Sequence, residues 1–280
     1  MSTVSTMSTP KEHDMTRISR AFDDLKAAGQ PALVPFIMAG DPDLGVTREL
    51  VLAAVRNGAD LIELGVPFSD PTADGPVLQR SATRALARGT SLPRVLELVA
   101  ELRHDTEVPI VLFGYYNPVF RYGTARLARD ARQAGADALL VVDLPPEESP
   151  ELWEPLRAEG LDQIFLLAPT SDRSRVSAVL ERASGFVYYV SMTGVTGAKA
   201  IAPTDVRPEV EKLRKRCKLP IGVGFGISSG AQAAAVAAFA DAVVVGSAMM
   251  RVVEENGNAA GLPDKLGGFV AELKRAIRRG

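Results

Sequence analysis

The stretch Asn57-Gly58-Ala59-Asp60-Leu61-Ile62 runs directly into Glu63-Leu64-Gly65-Val66-Pro67-Phe68-Ser69-Asp70-Pro71-Thr72-Ala73-Asp74-Gly75-Pro76. It reads as a helix exit, a short apolar strand carrying one acid, and a long loop before the next helix. Its opening phrase returns as Ala134-Gly135-Ala136-Asp137-Ala138-Leu139 and as Ala238-Phe239-Ala240-Asp241-Ala242-Val243. Each copy ends a helix and enters a strand, and their likeness points to a repeating βα unit.

Working outward, short β-branched runs alternate with longer amphipathic runs, the pattern of strands buried on both faces and covered by helices. Strands are expected at Leu33 to Met38, Leu61 to Leu64, Ile110 to Phe113 and Ala138 to Val142. Four more are expected at Ile164 to Leu167, Phe186 to Val190, Ile221 to Val223 and Ala242 to Val245. A first helix is expected around Arg17 to Ala28. Later ones include Leu44 to Asn57, Val77 to Arg88, Leu92 to Arg103, Thr124 to Ala134, Glu148 to Glu159, Arg173 to Ala183 and Thr204 to Cys217.

A chain of 280 residues suits one eight-fold barrel. The expected fold is therefore α/β, a (β/α)8 TIM barrel with an extra N-terminal helix, forming one domain over residues 16–280 behind a disordered leader, 1–15. An open doubly wound sheet is the alternative, and about eight βα units favour closure.

Hydrophobic residues make up 46% of the chain and charged residues 24%, a globular balance. A formal charge of −2 gives no positive field to gather nucleic acid or anionic lipid. The Ser- and Thr-rich opening lacks a signal-peptide core, and no run of about 18 apolar residues suggests a membrane span. Cys217 is the sole cysteine, so an intrachain disulfide and a thiolate metal cluster are excluded, and a reducing cytosol fits best. Of the two histidines, His13 lies in the polar tail and His104 near a helix end, where a cation suits the dipole. Catalysis must use other groups.

Barrel enzymes place their chemistry at the C-terminal ends of the strands and in the βα loops. Alternation puts Leu61, Glu63 and Gly65 on one strand face and Ile62 and Leu64 on the other, so Glu63 is expected to point inward near the barrel mouth. Burial there raises a carboxyl pKa and lets it exchange protons near neutral pH; a buried structural carboxylate is the bland alternative. The loop from Val66 to Pro76 has the length of a lid. Its Asp70 and Asp74 are turn or cap residues taken alone, but proximity to Glu63 favours a functional role for at least one.

Gly224-Phe225-Gly226-Ile227-Ser228 and Gly246-Ser247 follow the seventh and eighth strands, the usual phosphate site of such barrels, with a short helix after Ser247 adding its dipole. Tight turns are the alternative. The stretch Ser191 to Ala198 reads as a mobile loop, from which Gly197 could offer a backbone donor to the same phosphate and Thr196 could hydrogen-bond a lid aspartate.

These residues resemble the tryptophan synthase alpha chain family over nearly the whole chain after the leader. The most specific stretch is Glu63 to Pro71 with Ala73-Asp74-Gly75-Pro76, joined by Pro35-Phe36, Tyr116-Asn117-Pro118, Gly194-Val195-Thr196-Gly197 and Gly224 to Ser228. The resemblance implies cleavage of indole-3-glycerol phosphate to indole and glyceraldehyde 3-phosphate, with Glu63 as general acid/base and Asp74 binding the indole N–H. Phe36, Leu140 and Tyr188 would hold the indole or position Glu63. Gly197, Phe225, Gly226, Gly246 and Ser247 would bind the phosphate. It implies no cofactor and no metal for this half-reaction, and a pyridoxal-phosphate-containing beta chain as partner in an alpha2beta2 complex, with Pro67 to Pro76 towards that interface.

Three positions depart from the commoner pattern. Met38 stands for a Thr on the first strand, Thr72 for a Leu in the lid, and Gly114 for a larger residue, which would slightly enlarge the pocket. The altered lid leaves open a stand-alone lyase that releases free indole. A sugar-phosphate isomerase on the same barrel is opposed by the Glu63-to-Asp74 segment, and a non-catalytic regulatory subunit by the presence of both carboxylates.

Overall fold

The computed structural model describes residues 15–190, 203–224, 226–257 and 259–278. Eight parallel strands pair in sequence order, and the first closes on the last. They are β1 (Ala32–Met38), β2 (Ile62–Gly65), β3 (Ile110–Gly114), β4 (Ala138–Val141), β5 (Asp162–Leu167), β6 (Val187–Val190), β7 (Ile221–Gly224) and β8 (Ala242–Val245). The register aligns Phe36 with Glu63 across β1 and β2, and Pro35 with Val245 where β1 meets β8.

The outer layer holds α1 (Arg17–Ala27), α2 (Leu44–Arg56), α3 (Pro76–Ala87), α4 (Leu92–Leu102), α5 (Tyr116–Tyr122) and α6 (Thr124–Ala134). It continues with α7 (Pro150–Ala158), α8 (Arg173–Arg182), α9 (Pro203–Arg214), α10 (Gly230–Ala237), α11 (Ser247–Asn256) and α12 (Leu262–Ile277). None of the described helices is long and apolar enough to cross a membrane.

Strand alternation divides the core in two. Leu33, Ile37, Leu64, Leu112 and Val243 face the helices, while Ala32, Val34, Leu61, Val111, Leu140, Ile164 and Val244 fill the lumen. Both faces are dry, which is why the strands carry near-continuous apolar runs. Ile18 and Phe22 of α1 join the lumen cluster, with the Phe22 ring 5.6 Å from that of Phe186. The α1 helix thus stoppers the N-terminal end of the barrel and leaves the C-terminal end for ligands. Thr16 caps α1 by accepting the Ser19 N–H and donates to Asp162 at 2.8 Å, tying the stopper to β5.

The repeated phrase has a common structural task. Asp60 accepts the N–H of Leu33 at 2.7 Å, Asp137 that of Ile110 at 2.8 Å, and Asp241 that of Ile221 at 2.8 Å. In each case an aspartate entering one strand grips the beginning of the strand before it, closing the βαβ unit across its helix. A cation balances each carboxylate: Lys274 for Asp60, Arg103 and Arg17 for Asp137, and Arg214 for Asp241.

Several boundaries differ from the sequence reading. The expected helix Glu148 to Glu159 breaks into a single 3-10 turn over Pro146–Glu148 and α7 beginning at Pro150, a start position where a proline's missing N–H costs nothing, although α7 also carries Pro155 inside it. The helix expected to reach Cys217 ends at Arg214, and Arg216 and Cys217 turn back onto the Leu213 carbonyl. His104 lies one residue beyond the Arg103 cap of α4 and is exposed. The expected leader falls outside the described residues except for Met15, which is exposed.

Removal of the clamp carboxylates should reveal their unequal burial. The Asp137 side chain is 3% exposed and that of Asp241 34%. Asp137→Ala strands the largely buried Arg103 cation and should cost roughly 3–5 kcal/mol, whereas Asp241→Ala should cost about 1 kcal/mol. Equilibrium urea unfolding of the two variants checks the order, and equal losses would show that burial does not set the strength of the clamps.

Candidate active site

Glu63 sits in the middle of β2 on the lumen side, as alternation predicts. It is 1% exposed, and its Oε1 has no hydrogen-bond partner among the described residues. The surroundings explain why the group is dry. Its register neighbours are Phe36 on β1 and Val111 on β3, and the Phe36 ring meets that of Phe113 edge-on at 5.2 Å. A Cβ added to Gly65 would lie 2.4 Å from the Phe36 ring and 3.1 Å from the Met38 sulfur, so the absence of a side chain at 65 is what lets these two groups close over the strand end. Burial pushes the Glu63 carboxyl up to about 8.

Tyr188 on β6 is the polar group electrostatically coupled to Glu63. Burial, and then the Glu63 charge, hold its phenol well above the usual value, so it stays protonated. Its hydroxyl occupies the space that a side chain at position 224 would take, since a Cβ on Gly224 would lie 2.3 Å from Tyr188 Oη. Leu140 is fully buried on the lumen face of β4. The four expected residues Phe36, Glu63, Leu140 and Tyr188 are therefore brought to one interior.

The loop between β2 and α3 separates the two aspartates that the sequence left together. Asp70 is exposed and accepts the Ser69 hydroxyl at 2.6 Å, a local turn contact. Asp74 is only 9% exposed. It does not cap α3, whose N-cap is Gly75 with no side-chain bond. Burial raises its carboxyl to about 6, against an opposing contribution from the Tyr115 hydroxyl. Its carbonyl accepts the Gln79 side-chain amide at 2.8 Å and its N–H reaches Pro71 O at 3.0 Å, fixing the backbone on both sides. Thr72 is exposed on the same loop.

Beyond the loop, α3 is held by Arg84, which grips the buried Asp41 carboxylate through two 2.8 Å bonds. Arg80 forks onto Glu254 of α11 at 2.6 and 2.8 Å, and these arginines hold the Glu254 carboxyl down at about 2. The helix that follows the loop, α3, thus shares one ion network with α11 and with Asp41 after β1. Gly246 is the N-cap of α11 and supplies no side-chain bond, which leaves the first-turn N–H groups from Ser247 onward facing the rim for an anion. Gly226, at φ +52°, follows the adjacent strand β7. Thr196, Gly197 and Phe225, also expected here, lie outside the described residues.

Two findings were not anticipated. Tyr115, buried at the start of α5, bonds the β2–α3 loop, its hydroxyl accepting the Ala73 N–H. Gly114 turns to the outer layer, where it borders a small apolar void of about 20 Å³ with Leu112 and Val119 and does not widen the lumen. The signal for Tyr115 was only its place two residues beyond the β3 core, at the rim where chemistry collects.

The tryptophan synthase alpha chain family profile matches residues 22–277. The tryptophan synthase alpha chain of Citrifermentans bemidjiense is 57% identical over 266 residues, spanning 95% of this chain and 99% of its own. That of Geobacter sulfurreducens is 51% identical over 263 residues, spanning 94% and 99%. Among solved structures, tryptophan synthase subunit alpha from Legionella pneumophila str. Paris superposes with a TM-score of 0.89 at 38% identity, covering 94% of this chain and 99% of that one. A chain of tryptophan synthase from M. tuberculosis in its aminoacrylate-bound form gives 0.84 at 35%, covering 94% and 100%.

The raised Glu63 value carries a stability consequence. Between the ordinary carboxyl value of 4.5 and about 8, the unfolded chain loses this proton and the folded chain keeps it, so the group's contribution to stability falls as pH rises through that window. Glu63→Gln removes the titration. Its stability relative to the unmodified chain should rise by roughly 1–3 kcal/mol between about pH 5 and pH 8, measured by urea midpoints at both values. A gap that stays constant would mean that the carboxyl is not held protonated.

Proposed function

The chain belongs to the tryptophan synthase alpha chain family, and on that premise we propose that Glu63 is its proton-shuttling acid/base and Asp74 the carboxylate that binds the indole N–H. The protein is a carbon-carbon lyase of tryptophan biosynthesis, cleaving indole-3-glycerol phosphate to indole and glyceraldehyde 3-phosphate. The observation that carries the assignment of roles is the pair of unequal carboxyl groups, one held at about 8 inside the lumen and the other at about 6 in the loop above it.

Near neutral pH that pair presents an acid and a carboxylate together. Glu63 gives its proton to indole C3, and the ring becomes cationic. Asp74, ionised, stabilises that cation through the ring N–H. The bond from C3 to the side chain then breaks with its electron pair returning to the ring, while the Glu63 carboxylate takes the proton of the adjacent hydroxyl and the carbonyl of the aldehyde forms. Glu63 ends protonated, as it began. Phe36, Leu140 and Tyr188 would enclose the ring.

The phosphate would rest on the α11 N-terminus at Gly246 and Ser247 and on Gly226, with Gly197 and Phe225 completing the clamp. Residues 16–280 would act as one barrel domain, and the reducing cytosol suits its lone cysteine.

Family membership supports a tryptophan synthase beta chain as partner in an alpha2beta2 complex. The rim beside the lid offers apolar surface for such docking, since Phe120 is 61% exposed on α5, its ring centroid 6.1 Å from that of Tyr116 and tilted to it by 46°. Rates of indole release with and without a beta chain separate this reading from a stand-alone lyase.

Glu63→Gln should lower kcat for indole-3-glycerol phosphate cleavage by roughly 10²–10⁴-fold, with Asp74→Asn a smaller loss. The kcat/KM profile of the unmodified chain should be bell-shaped. It falls below about 6 as Asp74 gains a proton and above about 8 as Glu63 loses one. Full turnover in Glu63→Gln would remove the assignment.

A further inference from the structure

We propose that Tyr115 is a positioning residue that staples the β2–α3 loop shut and aims the Asp74 carboxylate into the barrel mouth. The proposal rests on the reading of Asp74 given above. Tyr115 is 3% exposed, although it lies at a loop junction as the N-cap of α5. Its hydroxyl accepts the Ala73 N–H at 3.0 Å, a contact across 42 residues of sequence, and its ring packs against Phe68 with centroids 5.4 Å apart and planes tilted by 33°. One side chain therefore holds the loop near its beginning, at Phe68, and near its end, at Ala73.

The hydroxyl has one proton and two lone pairs. A lone pair is committed to Ala73, which leaves the proton for an acceptor, and the next residue of the loop is the buried Asp74. The phenol remains protonated because burial, and then the Asp74 charge, raise its pKa. The other charged group bearing on it is Asp143, whose carboxylate is occupied by the Tyr116 N–H at 2.7 Å. In return, the hydroxyl favours the charged form of Asp74 against the burial that opposes it. The charged form of Asp74, buried between the exposed Ala73 and the half-buried Gly75, is thus favoured by a neutral donor beside it, and that donor is fixed by the backbone bond it accepts.

Tyr115→Phe in the full chain keeps the ring packing and deletes the hydroxyl. The Asp74 carboxyl, followed by 13C NMR of the carboxyl carbons and assigned by its loss in Asp74→Asn, should titrate higher by about half to one pH unit, and the acid limb of kcat/KM for indole-3-glycerol phosphate should move with it. The variant should also lose roughly tenfold in kcat/KM, and this loss should vanish in the Asp74→Asn background, because a residue acting through Asp74 has nothing left to act on. Phe68→Leu loosens the staple but spares the hydroxyl, so its acid limb should stay in place.

An unmoved Asp74 titration in Tyr115→Phe would overturn the proposal whatever the turnover. So would an equal loss of rate with and without Asp74, which would mark Tyr115 as a packing residue. Wild-type turnover by Asp74→Asn is the separate result that would sink the role of Asp74 itself, and the NMR titration would still report whether Tyr115 controls that carboxyl.

Discussion

The structure is organised around a carboxyl group that has been taken out of water and given too little in return. Glu63 Oε1 has no partner among the described residues, and the groups closest in register are a phenylalanine and a valine. Such a group is tolerated in its neutral form, at a cost of a few kcal/mol at neutral pH that the surrounding fold must absorb. The barrel can absorb it. Its strands are buried on both faces, its lower end is filled by Ile18 and Phe22, and its closed sheet leaves no edge through which the strain could relax.

Buried acids meet this constraint in two ways. At the N-terminal end, Asp60, Asp137 and Asp241 are each bonded to a strand N–H and each balanced by a cation. Those carboxylates are satisfied, and they serve stability. At the C-terminal end, Glu63 and Asp74 are buried with fewer bonds, and both are pushed upward. Asp41, beyond the end of β1, is satisfied by Arg84, and Asp137 is also raised by its burial, so what sets Glu63 and Asp74 apart is that no cation among the described residues balances them.

Much of this was readable along the chain because it depends on local period. The eighth strand spans Ala242–Val245 as the β-branched run indicates, and the inward turn of Glu63 follows from counting alternate residues from Leu61. The repeated aspartate phrase was visible, but its partners were not, since the N–H groups it binds lie 20 to 27 residues earlier. The α5 helix escaped notice because it has only seven residues and contains Pro118, too short for a periodic signal. Asp70 and Asp74 look alike to composition and spacing in a loop of prolines; the family resemblance singled out Asp74, and its burial now separates the two physically. Tyr115 was illegible for the same reason. Its role is a contact between two loops, and loops carry no repeating pattern from which a partner can be inferred.

The substitution of methionine at position 38 fits the same constraint. A hydroxyl on that strand could offer a proton to a nearby carboxylate and so favour its charged form. Met38 offers none. Its side chain is 3% exposed, and its sulfur closes with the Phe36 ring over Gly65, adding apolar volume beside the Glu63 strand. Burial keeps Glu63 protonated, while the Tyr115 hydroxyl favours the ionised form of Asp74. A site that needs an acid and a base in the same small space obtains both from two carboxyl groups, and the difference between them lies in which neighbours can give a hydrogen bond.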